Sequence, residues 1–104
     1  MKTIKTNDDW NAAIQSDNAI IMFSAVWCPD CVIVQPIMRE IEEEYDEFDY
    51  FYVDRDEHIE LCQELDIFGI PSFLAYRNGK EVGRYVDKQR KSKEQIEDFL
   101  QSIG

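Results

Sequence analysis

The sequence lacks any long apolar run, and it is poor in basic residues relative to acidic ones. No stretch approaches the ~20 consecutive apolar residues that a transmembrane helix requires, and residues 1–6 lack the apolar core of a signal peptide. We therefore expect a cytoplasmic protein that does not enter a membrane. With 22 acidic residues against 11 basic ones, the formal net charge of −11 would be repelled by nucleic acids and anionic lipids. Neither is expected as a partner.

Cysteine and histidine are also scarce, with three cysteines and one histidine. An odd number of cysteines does not fit the disulfide framework of a small secreted domain, which usually pairs all of its cysteines. In a reducing compartment, a close pair of thiols is more often a redox or metal site than a structural crosslink. Nothing in the sequence places His58 beside the cysteines, so it is not expected to act as a catalytic base.

The composition is that of one folded domain. Hydrophobic residues make up 44% of the chain and charged residues 32%, which is typical of globular proteins. A length of 104 residues gives room for one core but not for two. We find no internal repeat and no linker, so residues 1–104 are interpreted as a single domain, expected to be a monomer.

The spacing of apolar residues predicts alternating helices and strands, in the order β-α-β-α-β-α-β-β-α with an optional first strand. Helices that alternate with the early strands imply parallel pairing, whereas a late hairpin around Asn78-Gly79 adds an antiparallel edge. The predicted fold class is therefore α/β, with a central mixed β-sheet flanked by helices on both faces. Helix caps are predicted at Thr6 and Ser92, and strands over 19–23, 48–53, 72–76 and 82–86. One further helix is predicted from about residue 28, with Pro36 inside it, and another over 57–65.

Cys28 and Cys31 stand where a buried strand passes into a helix. The free N–H groups and the positive dipole end at a helix N-terminus stabilise an anion, and the thiolate is the form of cysteine that attacks a disulfide. Two intervening residues allow the sulfurs to form one disulfide. We expect Cys28, at the cap, to be the exposed attacking sulfur and Cys31, one turn in, to resolve the mixed disulfide.

Other interpretations of the pair stay open. Both cysteines could be small buried hydrophobes, or they could hold a metal or iron–sulfur cluster, although one pair supplies fewer ligands than the four of a structural zinc site. The third cysteine, Cys62, lies on the apolar side of a short helix and is expected to be a buried structural thiol.

A set of short motifs follows the chain in a fixed order. They are Ala25-x-Trp27-Cys28-Pro29-Asp30-Cys31, Pro36, Asp54 at a strand end, Gly69-Ile70-Pro71-Ser72, Asn78-Gly79 and Gly83. In this order and spacing the chain resembles the thioredoxin family along almost its whole length. The resemblance implies a thioredoxin-like fold and thiol–disulfide exchange on proteins, with no bound cofactor or metal beyond the redox-active Cys28–Cys31 disulfide.

The resemblance also implies roles around the pair. Pro71 would be a cis-proline facing the disulfide, although the residues alone show only that Ile70-Pro71 begins a strand. Ile70 and Pro71 would position an extended substrate strand, Trp27 would line the groove, and Asp87 would stand at its rim. The substrates would be protein disulfides, and a flavin-dependent, NADPH-linked reductase could restore the dithiol.

Two acidic residues depart from the family pattern. Asp30 lies between the cysteines, where general disulfide reductants carry Gly-Pro, and it is expected to modulate the pKa of the neighbouring thiols. The alternative is a solvated residue that only favours the start of the helix. Asp87 stands where the family commonly has glycine, so its charge is expected to select substrates, unless it is an ordinary exposed loop residue.

A third departure concerns the base behind the resolving thiol. Met22 occupies the strand position where thioredoxins usually bury an aspartate, and Tyr50 replaces a lysine often paired with it. A buried base behind Cys31 is therefore expected to be absent, and Asp30 could act in its place through water.

The predicted function is that of a thiol–disulfide oxidoreductase, most simply a protein-disulfide reductase. The alternatives are a redox-silent or chaperone-like adaptor that binds proteins without turnover, and an iron–sulfur or metal-binding module. The direction of exchange depends on the reduction potential, which the sequence does not specify.

Overall fold

The computed structural model describes residues 1–103. Its elements follow the predicted order, including the first short strand. They are β1 (Lys2–Thr3), α1 (Asn7–Ile14), β2 (Ala19–Ser24), α2 (Pro29–Glu44), β3 (Asp49–Asp54), α3 (Ile59–Glu64), β4 (Ser72–Arg77), β5 (Lys80–Tyr85) and α4 (Lys93–Ile103).

The strands form one mixed sheet in the order β1-β3-β2-β4-β5. β1, β3 and β2 pair in parallel, because helices connect them, whereas β4 pairs antiparallel with both β2 and β5. The predicted α/β class with a late antiparallel hairpin is confirmed. β2 lies at the centre and all six of its residues are buried, which explains why its sequence is a continuous apolar run.

Two apolar layers cover the two faces of the sheet. Successive side chains of a strand point to opposite faces, so Ile21 and Phe23 pack in the layer that holds α1 and α3, and Ile20 and Met22 pack in the layer that holds α2 and α4. The helix residues of the first layer include Ala13 and Cys62, and those of the second include Val34, Met38, Ile41, Ile96 and Leu100.

The helix starts are fixed by short polar motifs. The Thr6 hydroxyl accepts a hydrogen bond from the backbone N–H of Asp9, and the Asp9 carboxylate accepts one from the Thr6 N–H, which completes a capping box. Ser92 and Gln95 make the same reciprocal pair ahead of α4. Within residues 1–103, no helix combines the length and the apolar character needed to span a bilayer.

Candidate active site

The cysteine pair lies at the junction of β2 and α2. The chain turns after Ser24, with the Cys28 N–H donating to the Ala25 carbonyl at 3.2 Å, and Pro29 opens the helix, where its missing N–H costs nothing. Cys28 is therefore the N-cap residue, in an extended conformation, and its sulfur accepts a hydrogen bond from the Cys31 N–H at 3.3 Å. The first turn of α2 thus places the two side chains together.

The two thiols are free in this structure and differ in access. Cys28 is 6% exposed and Cys31 is completely buried. As predicted, Cys28 is more exposed than Cys31. Cys28 is nevertheless buried, so the prediction that the attacking sulfur is exposed is wrong. Cys28 belongs to the apolar layer of the core, which accounts for its low exposure.

The environment of Cys31 favours the protonated thiol. Burial raises its pKa to about 11, because the charged form loses its hydration, and the hydrogen-bonding interaction with Cys28 adds to this shift. The Ser24 hydroxyl and the Ala25 backbone act in the opposite sense but do not cancel it. At neutral pH Cys31 is a thiol, which suits a residue that acts second rather than first.

The segment before β4 packs against the same site. The Ile70–Pro71 peptide bond is cis, and Ile70 belongs to the buried layer that also contains Cys28 and Cys31. Gly69 is needed here, since a Cβ on it would lie 2.7 Å from the backbone nitrogen of Lys88.

The loop after β5, residues 86–91, packs against Gly69 and reaches Asp30 in the first turn of α2; we refer to it as the rim loop. Ser72 ties the two segments together, because its hydroxyl donates to the Gly69 carbonyl at 2.6 Å and lies 3.4 Å from the Asp87 carbonyl. Ile70, Pro71 and Asp87 are thus brought to one region beside the cysteines.

Asp87 does not present a lone charge to this region. Lys91, whose side chain is completely buried, donates to the Asp87 carboxylate at 2.7 Å and to the Gln89 carbonyl at 2.9 Å, and its ammonium lies 5.0 Å from the centre of the Tyr85 ring. Partial burial alone would raise the pKa of Asp87, but the hydrogen bonds from Lys91 and the Gln89 N–H hold it below its usual value. Selection of substrates by Asp87 stays a prediction. The group that would select them is the Asp87–Lys91 ion pair and not an isolated carboxylate.

Asp30 is also paired. The Arg90 guanidinium donates to its carboxylate at 3.0 Å, with both side chains partly exposed. This contact joins the first turn of α2 to the rim loop. The influence predicted for Asp30 on the thiols therefore comes from a carboxylate whose charge is partly balanced by an adjacent cation.

Trp27 forms an exposed aromatic surface next to Cys28. Its ring is 58% exposed, its indole N–H donates to the Asp56 carboxylate at 2.6 Å, and the Arg55 guanidinium lies 5.4 Å from the ring centre. Phe68, just before Gly69, is 63% exposed. Two large apolar side chains, one adjacent to Cys28 in the chain and one just before Gly69, thus remain in solvent, as a surface for protein contacts would require.

The structure also places four other residues that the sequence singles out. Met22 is 1% exposed in the apolar layer, and the Tyr50 hydroxyl donates to the Tyr45 carbonyl at 2.8 Å. His58 contacts the Ile4 carbonyl at 3.1 Å, and Cys62 is buried in α3, as predicted.

Ser24 and Tyr52, for which the sequence predicts no role, are close enough to Cys31 to influence or be influenced by its charge. The signal that could have found Ser24 is a polar residue at the end of an otherwise apolar buried strand. Among residues 1–103, no group of three or more His, Cys, Asp or Glu side chains is placed to hold a metal ion.

Comparison with known proteins gives a consistent result. The profile of the family described as Thioredoxin matches residues 2–102. The chain is 31% identical over 83 residues to thioredoxin-1 of Saccharomyces cerevisiae, covering 79% of this chain and 81% of that protein. It is 34% identical over 97 residues to an H-type thioredoxin of Brassica oleracea, covering 88% and 76%.

The fold comparison agrees. A thioredoxin structure from Plasmodium falciparum covers 100% of both chains with a TM-score of 0.88 at 22% identity. A thioredoxin structure from Nicotiana alata matches with a TM-score of 0.83 at 25% identity and covers 98% of this chain and 90% of that one. The predicted thioredoxin-like fold is confirmed.

Proposed function

We propose, on the premise that this chain belongs to the thioredoxin family of thiol–disulfide oxidoreductases, that it reduces protein disulfides by attack of Cys28 and resolution by Cys31. One observation carries the proposal. Cys28 is the N-cap of α2 and its sulfur accepts the Cys31 N–H hydrogen bond. A sulfur anion at that position is stabilised by the donor and by the helix dipole.

In the first step the Cys28 thiolate attacks one sulfur of a substrate disulfide. A bond forms between the two sulfurs, the substrate S–S bond breaks, and the second substrate sulfur leaves with the electron pair and takes a proton from solvent. Cys28 is more accessible than Cys31, which supports this assignment of the attacking residue.

In the second step Cys31 loses its proton and attacks the Cys28 sulfur of the mixed disulfide. The Cys28–Cys31 bond forms, the bond from Cys28 to the substrate breaks, and the remaining substrate sulfur leaves as a thiolate that is protonated by solvent. Two electrons pass to the substrate, and the protein is left with one disulfide.

The groove for the substrate is assigned to residues at the same face. Ile70 shares a buried layer with the cysteine pair and is joined to Pro71 by a cis peptide bond, and we assign both to holding an extended substrate segment, while Trp27 offers an exposed apolar contact. Asp87 would shape the rim together with Lys91. These assignments rest on the closeness of the segments and on the family pattern.

Turnover needs a supply of electrons from outside the chain. The family acts on protein disulfides and works through its cysteine pair without a bound cofactor. We propose that an NADPH-linked flavin reductase restores the dithiol, and that the protein works in the cytoplasm, where the reducing conditions suit such a dithiol. Visible absorption of the purified protein would instead indicate the iron–sulfur alternative, which the family match does not favour.

The test is reduction of insulin disulfides by the purified protein with dithiothreitol as electron source. Cys28→Ser should lose all activity above the dithiothreitol background. Cys31→Ser should lose turnover and, when reduced, freed of dithiothreitol and mixed with insulin, should accumulate a mixed disulfide visible by mass spectrometry. Cys62→Ser is the matched control and should keep full activity, because Cys62 lies in α3. Activity retained by Cys28→Ser would refute the assignment, and binding of insulin without turnover by the unaltered protein would favour an adaptor.

The direction of exchange is tested separately by equilibrating the protein in glutathione buffers and counting alkylated thiols. A reduction potential of about −270 mV or lower is expected for a reductant. A value above roughly −200 mV would contradict the proposed direction and indicate an oxidant or isomerase.

A further inference from the structure

The resolving step needs Cys31 to become a thiolate inside the protein, and no Asp or Glu among residues 1–103 is buried to help it. Met22, at the strand position where the family usually buries an aspartate, is apolar and buried, and the Asp30 carboxylate is engaged by Arg90. The cost of forming a buried anion is large unless polar groups face it. Some other group must therefore support the Cys31 sulfur.

Ser24 is the polar side chain in the right place. It is completely buried at the end of β2, and its hydroxyl is the one buried side-chain oxygen or nitrogen in residues 1–103 that lacks a hydrogen-bond partner. Leaving a buried hydroxyl unpaired costs about 1–3 kcal/mol, so such a group in a native core calls for an explanation. Because strand side chains alternate, Ser24 lies on the same face as Met22, toward α2.

The Ser24 hydroxyl has two polar neighbours, Cys31 and Tyr52. Although none of its contacts has full hydrogen-bond geometry in this dithiol state, the hydroxyl is close enough to lower the pKa of both groups against the larger effect of their burial. Hydrogen bonds of this kind often tighten only when the charged species forms.

Tyr52 links Ser24 and Cys31 to solvent through a cavity. It pairs with Met22 across the parallel strands β2 and β3, and both line a cavity of about 400 Å³ between the sheet and α2. The cavity reaches the surface, since Val26 and Arg39 in its wall are exposed.

We propose that Ser24 supports the resolving step by donating its hydroxyl hydrogen to the Cys31 sulfur as the thiolate forms, with Tyr52 as a positioning residue that donates to the Ser24 oxygen. The inference rests on the proposed function. The Cys31 proton leaves to solvent, and the Cys31 sulfur then bonds to Cys28. The substrate sulfur departs with the electron pair, so the hydroxyls of Ser24 and Tyr52 regain their starting state. The titratable groups that face Cys31 in this step are Cys28 from α2 and Tyr52 from β3.

The two steps can be separated by stopped-flow mixing of the reduced protein with an aromatic disulfide that releases a coloured thiolate, such as dithiobis(nitrobenzoate). Attack by Cys28 gives a first phase whose rate depends on reagent concentration, and resolution by Cys31 gives a second phase whose rate does not. Below the Cys31 pKa the second rate should rise about tenfold per pH unit, because the thiolate fraction does so.

Ser24→Ala should slow the second phase roughly tenfold at neutral pH and raise the Cys31 pKa by about one unit, the effect expected for loss of one hydrogen bond to a charged group. The first phase should not change. Tyr52→Phe should slow the second phase less, roughly threefold, because it acts through Ser24. Since the lost hydroxyl has no partner, Ser24→Ala should be as stable to urea as the unaltered protein or slightly more so.

Two controls separate this role from a structural one. Tyr76→Phe removes the hydroxyl of another buried tyrosine, which packs against Trp10 away from the pair, and should leave both phases unchanged. The pKa of Cys62 should stay the same in Ser24→Ala.

An unchanged second phase in Ser24→Ala, with normal attack by Cys28, would overturn the inference and leave the proposed function intact. If Asp30→Asn alone slowed the second phase, the support would belong to Asp30. Absence of both phases in the unaltered protein would refute the proposed function itself.

Discussion

At the scale of single residues, the position of a thiol decides its chemistry. Cys28 and Cys31 are one helical turn apart, yet Cys28 caps the helix and Cys31 is sealed beneath it. Burial raises the pKa of Cys31 to about 11, and burial is also the main cause that raises the pKa of Cys62 in α3 to about 11. Of the three thiols, only the cap residue combines access with a hydrogen bond from a backbone N–H.

Cys62 offers a test of how closed the core is around it. In a Cys28→Ser/Cys31→Ser background it is the only thiol, and its raised pKa leaves the thiolate about 100-fold scarcer than for an ordinary cysteine. Alkylation by iodoacetamide should therefore be slower than for a free cysteine by roughly that factor or more. The same variant in concentrated urea should react at the free rate. Rapid alkylation of the folded variant would show that Cys62 is accessible.

Sequence patterns predicted some of these residues and not others. Cys28 and Cys31 were identified because a strand, a spacing and a helix start are all local signals. Ser24 was missed because a serine after Phe23 looks like the end of a strand, and its role depends on a contact with another element. Lys91 was missed because a lysine in a charged stretch is ordinarily solvated, and only tertiary packing buries it.

At the scale of elements, the caps were predictable and the rim loop was not. The Thr6 and Ser92 motifs involve residues three apart, so the sequence alone specifies them. The rim loop instead takes its shape from distant partners. Arg90 pairs with Asp30 in α2, and the Asp87 backbone packs against Gly69. Pairs of this kind have no short-range signal.

The free energy of unfolding should fall more when Asp87 is removed from the Asp87–Lys91 ion pair of the rim loop than when Lys91 is removed. Asp87→Asn leaves a buried ammonium facing only the Gln89 carbonyl and the Tyr85 ring, and should lower the free energy of unfolding by about 2 kcal/mol. This value is below that for a fully buried pair because the Asp87 side chain is 39% exposed. Lys91→Met fills the same space and leaves a carboxylate that water can reach, so its cost should stay within about 1 kcal/mol.

Urea unfolding of both variants measures the difference. Lys93→Met is the matched control, because it removes a lysine whose pairs with Glu40 and Glu44 are exposed. Its effect should be near zero. If Lys91→Met proved more damaging than Asp87→Asn, the buried ammonium would not be the group that needs its partner.

At the scale of the whole molecule, the formal net charge of −11 acts on all parts at once. The molecule measures 31 × 30 × 20 Å, and the screening length is about 30 Å at 10 mM salt but about 8 Å at 150 mM. At low salt the acidic residues therefore repel one another across the entire fold. The exposed ion pairs stabilise the fold only slightly, so weakening them with salt costs little stability.

Raising sodium chloride from about 10 to 150 mM should accordingly raise the melting temperature by about 2–5 °C, equivalent to less than about 1 kcal/mol. Choline chloride at the same ionic strength should give the same increase, since screening does not depend on the cation. Thermal unfolding followed by circular dichroism measures both. A melting temperature that falls with salt would show that attractive pairs dominate.

The two edges of the sheet bear on how the molecule behaves among copies of itself. A strand edge with free N–H and carbonyl groups can recruit a strand from a second molecule and begin aggregation. Here one edge is β1, which has only two residues, and the other is β5, which carries Lys80, Glu81 and Arg84 and a register shift opposite Ala75 and Tyr76. Neither edge is long, flat and apolar. The protein can thus accumulate in a crowded solution without polymerising through its own sheet.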